Sequence, residues 1–335
     1  MFYWLLLVAT VITTVVLLLI TMDQQYLDVG GRYVLITGCD TGFGSLLARI
    51  LSANRGIHVI AACLTKEGMR QFQENGNGGT MRITAIQMDV TSSKSIQNAL
   101  KEVNKILPQG TGLWGLVNNA GINGPIGLYS WLKRKEISHV LEVNLVGTIE
   151  VTNVFFPLVR KARGRIVNMS SMVGLFPTMS MVYALSKAGV EAFSDNIRVM
   201  MRSSGVSVHL LEPAAFKTSL TDPQTAEDSL RETWGRLPEE EKVESGGQAV
   251  YQVMQRSLRE MLNQASPKLH LVTDATEHAL CARWPWRRYL PGAEAKFFIK
   301  PMSLLPACIA DNIVLWQFKS YMTAAPTSDN PVKCN

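Results

Sequence analysis

The sequence has little cysteine, and what it has does not pair. Cys39, Cys63, Cys281, Cys308 and Cys334 are scattered, odd in number and form no C-x-x-C motif, which argues against a disulfide framework and a cysteine-type zinc site. Histidines are equally dispersed, His270 and His278 lack metal-ligand spacing, and no metal is expected. The net charge is only +6, without a Lys/Arg run interleaved with aromatic residues, so no nucleic-acid partner is expected. A basic leader and a small-x-small cleavage site are missing around the first apolar run, which speaks against a cleaved secretory signal.

That first run is the opposite of a scarcity. Phe2 to Ile20 is apolar but for threonines, and no charge precedes Asp23, so the stretch matches the ~20 residues a bilayer requires. A retained transmembrane anchor is expected over 1–22, followed by a polar linker over 23–31. The flanks carry too little Lys/Arg bias to give an orientation. The remainder of the 335 residues suits one large α/β domain, expected over 32–300.

Within it, Arg32 to Thr37 reads as a buried strand, followed at once by Gly38-Cys39-Asp40-Thr41-Gly42-Phe43-Gly44 and a helix-periodic segment. Strand, glycine turn and helix in that order bring free helix N–H groups up to a pyrophosphate, and the glycines permit close backbone approach. Further strands are expected at His58–Cys63, Ile83–Met88, Leu113–Val117, Arg165–Met169 and Val206–Leu211, alternating with helices. That alternation predicts a doubly wound parallel sheet, a Rossmann-type α/β fold. No acidic residue follows the second strand to mark the adenine ribose, but Asp40 would repel a 2′-phosphate, so NAD is favoured with NADP left open.

After the fifth strand comes Ser170, and beyond twelve intervening residues Tyr183 and Lys187 stand four apart on an expected helix, one turn from each other. A phenol beside an ammonium is a proton-transfer device, since a nearby cation favours the phenolate. Ser170 could hold the oxygen of a carbonyl or alcohol while Tyr183 moves the proton.

Ser170, the spacer and Tyr183-Ala-Leu-Ser-Lys187 resemble the catalytic signature of the short-chain dehydrogenase/reductase family, and Thr37-Gly38-x-x-x-Gly42-x-Gly44 and Asn118-Asn119-Ala120-Gly121 resemble its other motifs. The resemblance implies Ser170, Tyr183, Lys187 and Asn144 as catalytic residues, Asn144 completing a proton relay behind the lysine. It implies cofactor contacts from Thr37, Gly38, Asp40, Gly42, Phe43 and Gly44 in the first turn, and from Asp89 and Val90 after the third strand. Asn118, Ala120 and Gly121 follow the fourth strand, with Tyr183, Lys187, Pro213 and Thr218 completing the set. The family's Pro-Gly is here Pro213-Ala214, a departure that would hurt cofactor binding if that position needs φ > 0.

Within the family, the apolar N-terminus, TGCDTGFG, HVIAACLT, WGLVNNAG and VEAFSD are similar to the membrane-bound retinol and hydroxysteroid dehydrogenases. This implies a lipophilic alcohol or ketone as substrate, an endoplasmic-reticulum membrane location and membrane lipid as partner, with homodimer formation left open. Met179, Val182 and Phe216 are the expected apolar pocket residues. A non-catalytic nucleotide- or lipid-binding protein, or a dehydrogenase of a small acid such as 3-hydroxybutyrate, are the competing readings. The segment from Leu220 to Met261 is expected to form a lid, Ala295–Ile299 a final strand, and 301–320 an apolar helix lying on the membrane among basic residues, before a tail over 321–335.

Overall fold

The computed structural model describes residues 2–74, 81–175 and 181–317. The chain opens with α1 (Phe2–Asp23) and then lays down β1 (Tyr33–Thr37), α2 (Gly42–Arg55), β2 (His58–Cys63), α3 (Lys66–Glu74), β3 (Ile83–Gln87), α4 (Ser93–Ile106) and β4 (Leu113–Asn118). Next come α5 (Arg134–Leu141), a π-helical turn (Glu142–Val146), α6 (Gly147–Ala162), β5 (Arg165–Met169), α7 (Met181–Met200) and β6 (Ser207–Leu211). The last third holds α8 (Pro223–Gly235), α9 (Glu239–Glu244), α10 (Gly247–Asn263), α11 (His270–Cys281), β7 (Arg288–Tyr289), a second π-helical turn (Ala295–Ile299), α12 (Lys300–Met302) and α13 (Ala307–Gln317).

The strands form one seven-stranded sheet in the order β3-β2-β1-β4-β5-β6-β7, and every pairing is parallel. Helices cover both faces, which is why the strands read as near-continuous apolar runs rather than alternating ones. On one face Val34, Ile36, Leu51 and Leu280 pack together; on the other Leu35, Leu116, Phe155 and Ile166 do so. The chain reverses its direction of winding between β1 and β4, and the crevice at the carboxyl ends of those strands is where such sheets bind ligands.

Two expectations are corrected. Ala295–Ile299 is not a strand: Ala295 and Ile299 are buried four residues apart, Phe297 between them is 72% exposed, and that helical spacing overrides the β-forming aromatics. The last strand is instead Arg288–Tyr289, two residues long and too polar to be visible as an apolar run. The stretch 23–31 is not a free connector. Tyr26 bridges Ala282 in antiparallel fashion, Leu27 N–H donates to Cys281 O at 2.8 Å, and the Trp286 indole donates to the Asp23 carboxylate at 2.5 Å.

α1 is 22 residues long and exposes aliphatic side chains from Leu7 to Ile20. The side chains of Leu5 and Leu6 lie outside the described set, and among the described residues no helix is long and apolar enough to cross a membrane.

α8 and α10 build a small core of their own, with Leu230, Trp234, Met254 and Leu258 packed on Ile126 and Trp131 of the loop after β4. An Arg236–Glu136 ion pair ties this layer to α5. At the carboxyl-terminal side, Ile299, Met302 and Ala310 pack against Met172 and Leu175, on the turn that follows β5.

Candidate active site

The cradle at the switch point is made of backbone held at close quarters. Thr37 Oγ accepts the N–H groups of Asn119 and Ala120, each at 3.0 Å. The Asn119 amide donates to Thr37 O at 2.9 Å and Gly38 O at 3.0 Å. The two loops press together so tightly that a Cβ on Gly38 would fall 2.7 Å from Ala120 Cα, and one on Gly44 2.3 Å from Gly38 O. Gly38 and Gly42 also take positive φ, +68° and +60°, which L side chains avoid. Thr41 at the start of α2 makes no side-chain cap, so the first-turn N–H groups keep their capacity for an anion. Thr218 lies against Gly42, and Thr41 Oγ meets Ser219 Oγ at 3.0 Å. These residues fit a nicotinamide dinucleotide: bare backbone and an uncapped helix for the phosphates, with Thr218 across the turn.

Asp40 lies in the glycine turn, and its carboxylate is fully engaged. Its carboxylate accepts Leu64 N–H at 2.8 Å, Thr65 N–H at 2.9 Å and Thr65 Oγ at 2.7 Å. Asp89 accepts Thr91 N–H at 2.9 Å and its hydroxyl at 2.7 Å, which orients the carboxylate at the end of β3. Val90 packs against the core beneath. Pro213 O accepts Met172 N–H at 2.9 Å and so ties the loop after β6 to the turn after β5. Asn118 is a correction. Its amide donates to Thr152 Oγ and Asn168 Oδ1, both at 2.8 Å, inside the sheet–helix core. The cradle asparagine is Asn119, its neighbour; two adjacent asparagines at a strand end point to opposite faces, and the motif alone does not say which.

The proton-transfer groups lie on α7 and on the turn after β5. Lys187 Nζ donates to Met169 O at 2.8 Å and sits 5.5 Å from the centroid of the Tyr183 ring. Gly121 leaves the space beside them open: a Cβ there would meet Asn144 Oδ1 at 3.3 Å and Lys187 Nζ at 3.4 Å. Asn144 stands in the π-helical turn, a distortion common at functional sites. Its side chain accepts Ile122 N–H at 2.8 Å and donates to Ile122 O and Ser186 Oγ at 2.9 Å each. It therefore locks the loop after β4 to α7.

The serine beside the tyrosine is Ser171, not Ser170. Ser171 shares a hydrogen bond with the Tyr183 phenol. Ser170 Oγ is turned into α7 instead, donating to Lys187 O and Glu191 Oε1, both at 3.1 Å. Spacing cannot separate two neighbouring serines, whereas the alternation of side chains along the extended chain does. Charge also differs from expectation. Burial pushes the Tyr183 phenol up to about 12, with the Ser171 bond pulling it partly back, and burial brings Lys187 down to about 8. Desolvation, not the ammonium, dominates the tyrosine here; the ammonium's hydrogen bond goes to the Met169 carbonyl.

Of the expected pocket residues, Met179 lies outside the described residues. Val182 is buried on α7, and Phe216 is a core residue, its ring edge-on to Phe43 at 5.8 Å. Ala214 does not adopt φ > 0. The glycine requirement falls on Gly292 instead, at φ +99°, where a Cβ would approach the Ala214 methyl to 2.6 Å.

The short chain dehydrogenase family matches residues 32–229. Retinol dehydrogenase 7 of Rattus norvegicus is 42% identical over 313 residues, 93% of this chain and 97% of that protein. The 17-beta-hydroxysteroid dehydrogenase type 6 of Homo sapiens is 42% identical over 311 residues, 93% of this chain and 96% of that protein. A short-chain dehydrogenase structure from Streptomyces avermitilis superposes with a TM-score of 0.64 at 19% identity, covering 89% of this chain and 99% of that one. With a glycine cradle, a Ser171–Tyr183–Lys187 constellation and relatives matching along nearly its whole length, the chain belongs to the short-chain dehydrogenase family.

Proposed function

We propose that this protein interconverts a lipophilic alcohol and its carbonyl compound with NAD, the substrate being retinol or a 3α/17β-hydroxysteroid. The observation that carries the reading is the Ser171–Tyr183–Lys187 cluster at the mouth of a backbone cradle built for a dinucleotide. The relatives named for retinol and hydroxysteroids support the substrate class.

Ser171 and Tyr183 both present hydroxyls to one point, so a substrate oxygen placed there is held by Ser171 while Tyr183, as its phenolate, takes the alcohol proton. In the reverse direction the phenol gives that proton back to the carbonyl oxygen. Lys187 lends positive charge one helical turn below, and Asn144 fixes the loop that carries Gly121 against that helix. A bound nicotinamide dinucleotide supplies the hydride acceptor. Asp40 favours NAD over NADP: its charge saturates the N–H groups of Leu64 and Thr65, donors that a 2′-phosphate would otherwise use. The catalytic domain spans 32–300 with 23–31 stitched to it, and Phe216 and Val182 back the substrate pocket.

A membrane location fits the same reading. The 22 residues of α1 rise about 33 Å at 1.5 Å each, and the exposed aliphatic side chains from Leu7 to Ile20 support association with a membrane, where lipophilic alcohols dissolve. Phe297 and Leu304, 72% and 75% exposed, extend an apolar face from the C-terminal elements that pack on the turn beside Ser171. The test is direct. Membranes carrying the chain are given all-trans-retinol or androstanediol with NAD, and NADH is followed by absorbance. Turnover of either supports the reading; nucleotide binding without turnover of any such alcohol favours the non-catalytic alternative.

A further inference from the structure

Ser171 and Tyr183 belong to different elements, and their hydroxyls must be held at a fixed separation for one oxygen to bridge them. Three side-chain ties join the end of β5 to α7. Lys187 Nζ donates to Met169 O at 2.8 Å, and Ser170 Oγ donates to Lys187 O and to Glu191 Oε1 at 3.1 Å. Tyr183, Lys187, Glu191 and Asp195 recur every four residues, so they form one stripe along α7.

Glu191 is buried and touches neither reacting oxygen nor cradle. Its second oxygen accepts Arg288 Nη1 at 3.1 Å, and Arg288 Nη2 donates to Asp195 at 2.6 Å. Arg288 also pairs with Glu212 at the end of β6, whose other oxygen is buried with no partner among the described residues. One guanidinium on β7 thus braces α7 against β6, and Glu191 carries that brace on to Ser170. The turn closes directly over the carboxylate: a Cβ on Gly174 would fall 2.7 Å from Glu191 Oε1.

A buried carboxylate that spends one oxygen on a neutral hydroxyl is a poor way to gain stability, since desolvation costs more than such a bond returns. Fixed geometry is a better reason for it. We propose that Glu191 is a positioning residue, which transmits the Arg288 brace to Ser170 and so sets the distance between the Ser171 and Tyr183 hydroxyls. This rests on the dehydrogenase reading above.

The experiment uses the full chain in membranes, with Glu191→Ala, Glu191→Gln and Ser170→Ala, and two readouts: steady-state kinetics and hydrogen exchange. Gln can donate to Ser170 Oγ and accept from Arg288, so it preserves both ends of the strut. Glu191→Ala should lower kcat about tenfold or more, the scale of a sub-ångström misplacement, with KM for NAD within about twofold. Glu191→Gln should stay within about threefold of wild type, and Glu191→Ala combined with Ser170→Ala should be no worse than the poorer single variant. Amides of residues 169–175 should exchange about tenfold faster in Glu191→Ala while those of β2 keep their protection. Unchanged turnover in Glu191→Ala, no rescue by Gln, or loosening of the whole sheet would each overturn the proposal. If wild type oxidises no alcohol yet 169–175 loosens selectively, the strut stands and the assigned reaction fails.

Discussion

Lys187 holds its ammonium 5.5 Å from the centre of the Tyr183 ring while donating to Met169 O at 2.8 Å. The buried cation is brought down from its ordinary 10.5 to about 8 by desolvation alone. Between those values the folded chain binds fewer protons than the unfolded one. The penalty for burying the charge is therefore complete below pH 8 and fades as pH rises to 10.5. Lys187→Met should abolish turnover yet raise stability by on the order of 1–2 kcal/mol at pH 7, after the lost bond to Met169 is counted. Denaturant melts at pH 7 and pH 10 check this, and the gain should shrink at the higher pH.

The neighbouring serines should separate cleanly. Ser171→Ala removes the bond that lowers the phenol and the group that holds the substrate, so kcat/KM should fall about a hundredfold. Because that bond pulls the Tyr183 value down, its loss should also move the rise of alcohol oxidation to higher pH. Ser170→Ala, acting only through the strut, should cost about tenfold and leave the pH profile in place. pH–rate profiles of the two variants distinguish them.

At Gly292, Ala should be costly twice over, through φ +99° and through the 2.6 Å approach to the Ala214 methyl. A loss of about 2–3 kcal/mol is expected. Adding Ala214→Gly should return the contact share but not the backbone share, as thermal melts of the single and double variants would read.

Cofactor choice should turn on Asp40. Asp40→Asn loses the charge and keeps only one of the two acceptor oxygens, freeing a backbone N–H at Leu64 or Thr65, so the ratio of NADP to NAD affinity should rise about tenfold or more. Paired binding titrations measure it.

What the sequence made legible follows from chemistry that demands a residue type at a set spacing. Gly38 and Gly44 could be read because only bare backbone fits there, Gly42 because its φ of +60° favours glycine, and Tyr183 with Lys187 because one helical turn separates them. Adjacent duplicates hid the rest: Ser171 behind Ser170 and Asn119 behind Asn118, where only side-chain direction decides. β7 escaped notice because Arg288 is held in place by three acids rather than by apolar burial. The methyl of Ala214 looked like a defect until Gly292, far along the chain, supplied its space.

The phenol is the centre of the account, and Tyr183→Phe tests it with one change. Nucleotide titration should give the wild-type affinity within about twofold, while NAD-dependent oxidation of retinol or androstanediol should drop by about a thousandfold or more. Oxidation persisting at the wild-type rate in that variant would contradict the assignment of proton transfer to Tyr183.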